Sequence, residues 1–410
     1  MADQTLAALA ADFRNEFERM LPDMLSTLQD LVELESFTFE GAHVDAVGSY
    51  IADWLKKAGF ATARRERPAN QDAKWAGLGR VVTARTHKRE AGTGIAIIGH
   101  MDTVFPEHTI AERPFRIDGN YAFGPGVADM KGGIVTALYV ARLLKQRGLL
   151  SVPLTLLMSP EEEALAPAVY PQFAEELKDA CAIFSAEPGF PGGGITVERF
   201  GCGDFRLQVS GVASHAARDY KSGASANLEL ARQMLAIDRL ADPDGGTIVN
   251  TGRIRGGSSS GTVSDWAEGD IFMCFKSLEE GERLIASLRD TVAKPQIPGT
   301  HCRLSGAIGL YPMRETPGTK TLFEFARTAA SLIGVSVHEN RTNGSSDAGY
   351  CSTMLGVPTL CSMGPEGTGL HCEKEQLDIS TIVPRSVILA LSILQAARSC
   401  PPCAGSAAGA

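Results

Sequence analysis

The stretch Gly99-His100-Met101-Asp102-Thr103-Val104 decides the fold of this chain. It follows Gly94-Ile95-Ala96-Ile97-Ile98, a short apolar run rich in β-branched residues, which predicts a buried strand. His100 and Asp102 stand two residues apart, so both side chains leave the same face at the carboxyl end of that strand. Sites in open α/β sheets are built at this end. Imidazole and carboxylate groups held there suit a divalent metal ion.

Acidic residues recur at comparable places further along the chain. Asp129 follows a glycine-rich turn and precedes a predicted helix at 131–146. Glu161-Glu162-Glu163 follow the apolar strand predicted at 154–158, and Glu187 follows the strand predicted at 181–186. This alternation predicts an α/β catalytic domain, in which a mixed, mostly parallel sheet is flanked by helices.

The pattern of elements changes near residue 195. Strands at 195–200 and 204–210 are predicted to pair, and helices and strands then alternate to about residue 307. This predicts a smaller inserted α+β domain. The expected domains are 1–194 and 311–399 for the two parts of the catalytic domain, 195–310 for the insertion, and 400–410 for a flexible tail. In the predicted N-terminal helix, Pro22 is expected to kink or split the helix.

Composition excludes several classes of function. The 410 residues carry a net charge of −9, and no dense Lys/Arg cluster indicates nucleic-acid binding. No apolar run is expected to span a membrane. The amphipathic N-terminus does not resemble a signal peptide, so a cytoplasmic location is expected.

The nine cysteines are expected to be reduced thiols, and Cys400-Pro401-Pro402-Cys403 is assigned to the tail.

Taken together, the acidic and histidine residues predict a dinuclear metal centre. Each has an ordinary alternative, since Asp129 could cap a helix and the glutamates could be a solvated helix start. Because the acidic residues recur at the ends of separate predicted strands, the metal centre is favoured over these alternatives. Asp102 would orient the imidazole of His100, and Glu162 would be the general base that deprotonates metal-activated water. The predicted ligands are His100, Asp129, Glu163, Glu187 and His371.

The chain carries recognisable motifs at 99–104, 124–133, 160–163, 185–188, 214–216 and 369–371. Together these motifs resemble those of the co-catalytic metal hydrolases that include glutamate carboxypeptidase, aminoacylase, acetylornithine deacetylase and succinyl-diaminopimelate desuccinylase. Their order and spacing are most similar to the bacterial glutamate carboxypeptidase branch. The resemblance implies that Asp129 bridges two metals, that the Asp129–Met130 peptide is cis, and that the insertion is a lid and dimerisation domain. It also implies that His215 reaches the partner subunit's site and stabilises the oxyanion.

The lid segment departs from the family pattern. Gly261 stands where an Asn is usual, Cys274 stands where carboxypeptidase-type members place an Arg that clamps the substrate carboxylate, and another usual Asn falls near Ser225. A cysteine cannot replace a bidentate guanidinium–carboxylate pair. Candidate replacements for the clamp are Arg218, Arg253, Arg255 and Arg314.

Three functional hypotheses follow. The first is hydrolysis of an amide C–N bond in a small carboxylate-bearing substrate, such as an N-acyl amino acid or dipeptide. The second is hydrolytic deamination of an electron-poor aryl amine, such as an anthranilate, on the same metal site. The third is a non-catalytic relative that binds a small ligand. Two zinc ions are expected, with manganese, cobalt or a single ion as alternatives. A homodimer or higher homo-oligomer through the lid is expected, with neither nucleic acid nor membrane as partner.

Overall fold

The computed structural model describes residues 5–65, 77–87, 94–165 and 167–400. The part of the predicted tail at 401–410 lies outside the described residues. Within them, the helices are α1 (Leu6–Glu33), α2 (Gly41–Lys57), α3 (Thr109–Glu112), α4 (Gly132–Gln146), α5 (Tyr170–Leu177), α6 (Ala226–Asp238), α7 (Leu278–Val292), α8 (Pro317–Leu332) and α9 (Ile382–Ser399).

Strands occur throughout the chain and form several separate sheets. In chain order they are β1 (Ala61–Arg65), β2 (Val81–Arg85), β3 (Gly94–His100), β4 (Arg116–Asp118), β5 (Tyr121–Phe123), β6 (Leu154–Ser159), β7 (Ala180–Ser185), β8 (Gly194–Arg199), β9 (Gly201–Ser210), β10 (Ser214–His215), β11 (Ile248–Gly256), β12 (Thr262–Val263), β13 (Trp266–Phe275), β14 (His301–Leu310), β15 (His338–Thr342), β16 (Thr359–Leu360), β17 (Gly367–Thr368) and β18 (Gln376–Asp378).

The chain divides into two compact units, and the boundaries differ slightly from those expected. Of the described residues, those within 1–198, 313–342 and 350–410 form the first unit, and those within 199–312 and 343–349 form the second. The segment 343–349 therefore belongs with the inserted unit, although it lies more than 30 positions beyond the expected boundary at 310.

The first unit is organised around a six-stranded sheet in the order β1-β2-β6-β3-β7-β16. Strands β6, β3, β7 and β16 run parallel, whereas β1 and β2 add antiparallel pairs at one edge. This is the mixed, mostly parallel sheet that the sequence predicts. Every residue of β3 and β6 is buried, which matches their mainly apolar sequences.

Helices α1, α4, α8 and α9 pack together in the core of this unit. Helix α1 continues through Pro22, so of the two expected effects, a kink or a split, the split does not occur. The expectation that no run could span a membrane is also wrong on length and composition. The stretch Ile379–Ser399 contains an 18-residue segment with a mean hydropathy of 1.6, but 72% of that segment is buried inside the protein. Its apolar character matches its position as a core helix.

Strand β8 was predicted to pair with the strand that follows it, and this prediction is wrong. β8 pairs with β15 in the first unit, whereas β9 lies in a four-stranded antiparallel sheet of the second unit, in the order β11-β13-β9-β14. Helices α6 and α7 pack on that sheet, and its core includes Phe205, Leu207 and Ile271. The second unit is thus α+β, as expected.

The expectation that all cysteines are reduced is wrong for one pair. Cys181, in β7, and Cys400, just after α9, are joined by a disulfide with their Cα atoms 5.7 Å apart. Cys400 therefore belongs to the folded unit and not to the predicted tail. Sequence could not indicate this pairing, because 219 positions separate the two residues.

Candidate metal centre

Three neighbouring strand ends bring His100, the Glu162–Glu163 segment and Glu187 to one edge of the sheet. His100 ends β3, and its register partner Ser159 ends the adjacent β6, directly before the segment that carries Glu162 and Glu163. On the other side, the backbone N–H of Ala186 donates to Ile98 O at 2.9 Å and extends the β7 ladder toward Glu187. Parallel pairing therefore aligns these three segments at the carboxyl edge of the sheet.

Asp129 enters from the turn before α4, and not from a strand. The Asp129–Met130 peptide is cis, which confirms the prediction made from the resemblance. Gly133, in the first turn of α4, lies so close to the Ala186 carbonyl oxygen that a Cβ there would clash with it. This close approach of α4 to the end of β7 places Asp129 beside Glu187.

The two carboxylate oxygens of Asp129 face different histidines. Oδ1 lies 3.2 Å from His100 Nε2, and Oδ2 lies 3.3 Å from His371 Nε2. Donor atoms of His100, Asp129 and Glu187 lie within 4.8 Å of one another, as do those of Asp129, Glu163 and His371. Asp129 thus belongs to two donor groups at once, which is the arrangement a carboxylate bridging two ions requires.

The charges and chemistry of this cluster fit divalent cations. Glu162 also lies within 4.8 Å of donor atoms of His100 and Glu163. Placing four carboxylates beside the buried imidazole of His100 and the exposed one of His371 is costly unless positive charge compensates them. Two divalent ions would balance the four negative charges, and nitrogen and oxygen donors of this kind suit zinc, manganese or cobalt. The residues present therefore fit the expected metal pair.

Hydrogen bonding and burial shift the pKa values of several groups in this cluster. Hydrogen bonds to Asp129 and Glu163 raise the pKa of His371 to about 10. Burial raises the pKa of Glu163 to about 7, against the opposing hydrogen bond from His371. Burial alone would lower the pKa of His100, but hydrogen bonds with Asp102 and Asp129 and nearby glutamate charges raise it well above its usual value.

Asp102 contacts several of the segments that build the site. His100 Nδ1 donates to the backbone oxygen of Asp102 at 3.0 Å, while the nearer carboxylate oxygen is 3.4 Å away. The carboxylate itself accepts the backbone N–H of Glu162 at 3.2 Å and that of Glu163 at 3.0 Å. The side chain of Thr38 donates to it at 2.8 Å. Asp102 therefore supports His100 mainly through its backbone, and uses its carboxylate to hold the glutamate segment.

In the second unit, His215 ends the short strand β10 and is exposed. Its Nδ1 accepts the backbone N–H of Ala217 at 3.2 Å and of Arg218 at 3.3 Å. In the neutral ring the proton then resides on Nε2, which is free to act as a donor.

The three lid departures have local structural roles. The Gly261 carbonyl accepts the Ala216 N–H at 2.9 Å, and Ser225 caps helix α6 by accepting the N–H of Leu228. Cys274 is buried opposite Cys202 in the β13–β9 pairing, and burial raises its pKa to about 12. A buried neutral thiol cannot act as the carboxylate clamp.

The candidate arginines differ in their surroundings. The side chain of Arg253 donates to Asp270 at 2.8 Å, and Arg255 pairs with Glu268. The backbone N–H of Arg314 donates to Ser352 Oγ at 3.3 Å, and its side chain is exposed, as is that of Arg218.

Thr38 and Glu375 also belong to the site, although neither was predicted. Thr38 stands 64 positions before Asp102 and carries no local signal. Glu375 is buried, and its carboxylate accepts backbone N–H groups of the segment that carries Asp129. An acidic residue four positions after His371, in a glycine-containing turn, was the available signal for Glu375.

Comparison with known proteins decides the family. Residues 96–395 match the family described as Peptidase family M20/M25/M40. The chain belongs to this family. It is therefore a hydrolase of the M20 metallopeptidase family that acts on C–N bonds, as predicted.

Individual members of this family extend the comparison. This M20-family chain is 28% identical over 382 residues to carboxypeptidase G2 from Pseudomonas sp. (strain RS-16), covering 91% of this chain and 89% of that protein.

Two solved structures share its fold. One is an M20 family metallo-carboxypeptidase from Sulfolobus solfataricus (TM-score 0.74, 16% identity, covering 92% of this chain and 99% of that chain). The other is a dinuclear metal-binding M20 peptidase from Bacillus subtilis (TM-score 0.64, 18% identity, covering 93% of this chain and 99% of that chain).

Proposed function

We propose that this protein hydrolyses the amide C–N bond of a small peptide-like substrate that carries a carboxylate, such as an N-acyl amino acid or a dipeptide. The observation that carries the proposal is the placement of Asp129, whose two oxygens face the separate donor groups of His100 and His371. We propose His100, Asp129, Glu163, Glu187 and His371 as the ligands of two divalent ions, zinc being the first candidate.

Two bound ions would polarise the substrate carbonyl and make water acidic enough to attack at neutral pH. Glu162 is proposed to take the proton from the attacking water. Its carboxylate lies within the donor cluster, and Asp129, not Glu162, is the carboxylate proposed to bridge the two ions. As the water oxygen bonds to the carbonyl carbon and the C–N bond breaks, Glu162 returns the proton to the leaving nitrogen. The products are a carboxylic acid and an amine, so atoms and charge balance.

We propose a homodimer through the lid in which His215 of one chain serves the centre of the other. The acceptor role of Nδ1 toward Ala217 and Arg218 supports this, since it leaves Nε2–H to donate to the developing oxyanion. Arg218 and Arg314 are the favoured candidates for binding the substrate carboxylate, because Arg253 and Arg255 are already paired with acids.

The buried Cys274 favours a second candidate function. Without an arginine at that position, the lid would suit a compact aromatic acid that does not depend on the usual arginine clamp. Hydrolytic deamination of an electron-poor aryl amine would use the same centre and release ammonia. The non-catalytic hypothesis is set aside, because the donor groups and Glu162 are assembled together.

The test combines metal analysis with a substrate panel. The purified protein is assayed for metal content, stripped with a chelator, and reloaded with Zn²⁺, Mn²⁺ or Co²⁺ before incubation with N-acyl amino acids, dipeptides and substituted anthranilates. Two metals per chain with amide hydrolysis would support the proposal. Ammonia release from anthranilates without amide cleavage would favour the second candidate. Absence of bound metal after reloading would overturn both.

A further inference from the structure

Glu375 joins two segments that carry proposed metal ligands. Its Oε1 accepts the backbone N–H groups of Ala128 and Asp129, and its Oε2 accepts that of Gly126, all three at 2.9 Å. The side chain is buried, with the residue only 1% exposed. One carboxylate therefore satisfies three backbone donors in the turn that presents Asp129.

The same residue closes the turn that presents His371. The Cys372 N–H donates to Gly369 O at 3.2 Å, and the Glu375 N–H donates to Cys372 O at 3.1 Å. Strand β18 begins at the next residue and pairs with β5, which anchors the end of this turn. Because Glu375 is held by its backbone in one segment and by its side chain in the other, the two segments cannot shift independently.

We infer that Glu375 is a positioning residue that sets the distance between Asp129 and His371. It thereby sets the affinity of the metal position formed by Asp129, Glu163 and His371. The inference rests on the proposed ligand roles of these two residues. Glu375 itself acts through hydrogen bonds to the backbone and contributes no atom to the reaction.

The number of donors explains why a carboxylate is needed. Glutamine would offer one acceptor oxygen, enough for the two donors now on Oε1, but its amide NH₂ would face the Gly126 N–H. Alanine would leave three buried N–H groups unpaired.

The experiment is a titration of the metal-free full-length protein with Co²⁺, followed by visible absorption and by competition with a chelator. The variants are Glu375→Ala, Glu375→Gln and Glu375→Asp. We expect Glu375→Ala to weaken binding of one Co²⁺ equivalent by about 10- to 100-fold and to alter its absorption bands. Glu375→Gln should recover part of the affinity. If Glu375→Ala does not fold, the Gln and Asp variants decide the question by the same measurements.

Glu229 supplies a matched control. It is a buried carboxylate of the second unit whose Oε2 accepts the backbone N–H groups of Gln296 and Ile297 at 2.8 and 2.6 Å. Glu229→Gln should lower thermal stability without changing Co²⁺ affinity or absorption. Folded Glu375 variants with wild-type Co²⁺ affinity and absorption would overturn the inference.

Failure of the underlying ligand assignment would look different. In that case His371→Ala would retain both equivalents of Co²⁺, whatever the Glu375 variants do. If His371→Ala loses one equivalent while the Glu375 variants bind normally, the ligand assignment stands and only the positioning role fails.

Discussion

The carboxylate of Asp102 accepts the backbone N–H of Glu163 at 3.0 Å, which ties the end of β3 to the segment after β6. The neighbouring N–H of Glu162 donates to the same carboxylate at 3.2 Å. A proposed ligand and the proposed base are therefore oriented by one acidic side chain. This relationship makes Asp102 a positioning residue for more than the imidazole of His100.

Asp102→Ala should reduce activity more than it reduces stability. Removing the carboxylate frees the N–H groups of Glu162 and Glu163, and we expect a loss of about 10- to 100-fold in metal affinity or kcat. Thr38→Val removes only one donor to Asp102 and should have a smaller effect in the same direction. Steady-state kinetics with metal analysis checks both variants. Equal effects of the two would contradict the role assigned to Asp102.

Glu162→Gln should abolish turnover and leave the metal bound. The amide cannot accept a proton from water, and loss of general-base catalysis costs about 10²- to 10⁴-fold in rate. Glu163→Gln is the comparison, since it should lower metal content as well. Elemental analysis beside kcat separates the two glutamates. A Glu162→Gln protein that retains near-normal turnover, or that loses metal, would show that the assigned role is wrong.

Metal binding should release protons and strengthen as pH rises. Hydrogen bonding raises the pKa of His371 to about 10, and burial raises that of Glu163 to about 7, so both hold protons near neutrality that a cation must displace. Between about pH 6 and pH 8, apparent affinity should therefore increase. Calorimetric titration in two buffers of different ionisation enthalpy measures the protons released. His371→Gln should release fewer protons, and a wild-type value of zero would contradict the pKa assignments.

Gly133→Ala should destabilise the first unit and weaken metal binding together. The added Cβ would clash with the Ala186 carbonyl oxygen, next to Glu187, and overpacking of this kind costs about 1–3 kcal/mol of unfolding free energy. Gly252→Ala is the control, because its Cβ would meet Asn250 only at 3.7 Å. Denaturant unfolding and metal affinity give the readout. A folded Gly133→Ala protein with unchanged metal affinity would disprove the coupling between α4 and Glu187.

Much of this architecture can be read from the sequence because its signals are local. The apolar runs before His100 and after residue 153 predict buried strands, and strand ends in an α/β sheet converge on one edge. The family motifs then add the cis peptide after Asp129. The residues proposed as ligands could be named without coordinates, since each lies beside a recognisable element or motif.

Tertiary structure decided what depends on contacts between distant segments. Only the folded chain shows that β8 pairs with β15, that Cys181 meets Cys400, and that the two oxygens of Asp129 face different histidines. Glu375 and Thr38 gain their roles from backbone groups that no sequence pattern specifies. The periodicity and composition of a segment indicate which of its faces is buried. The hydrogen bonds of Thr38 and Glu375 join residues 64 to 249 positions apart, so they depend on which distant segments the fold brings together.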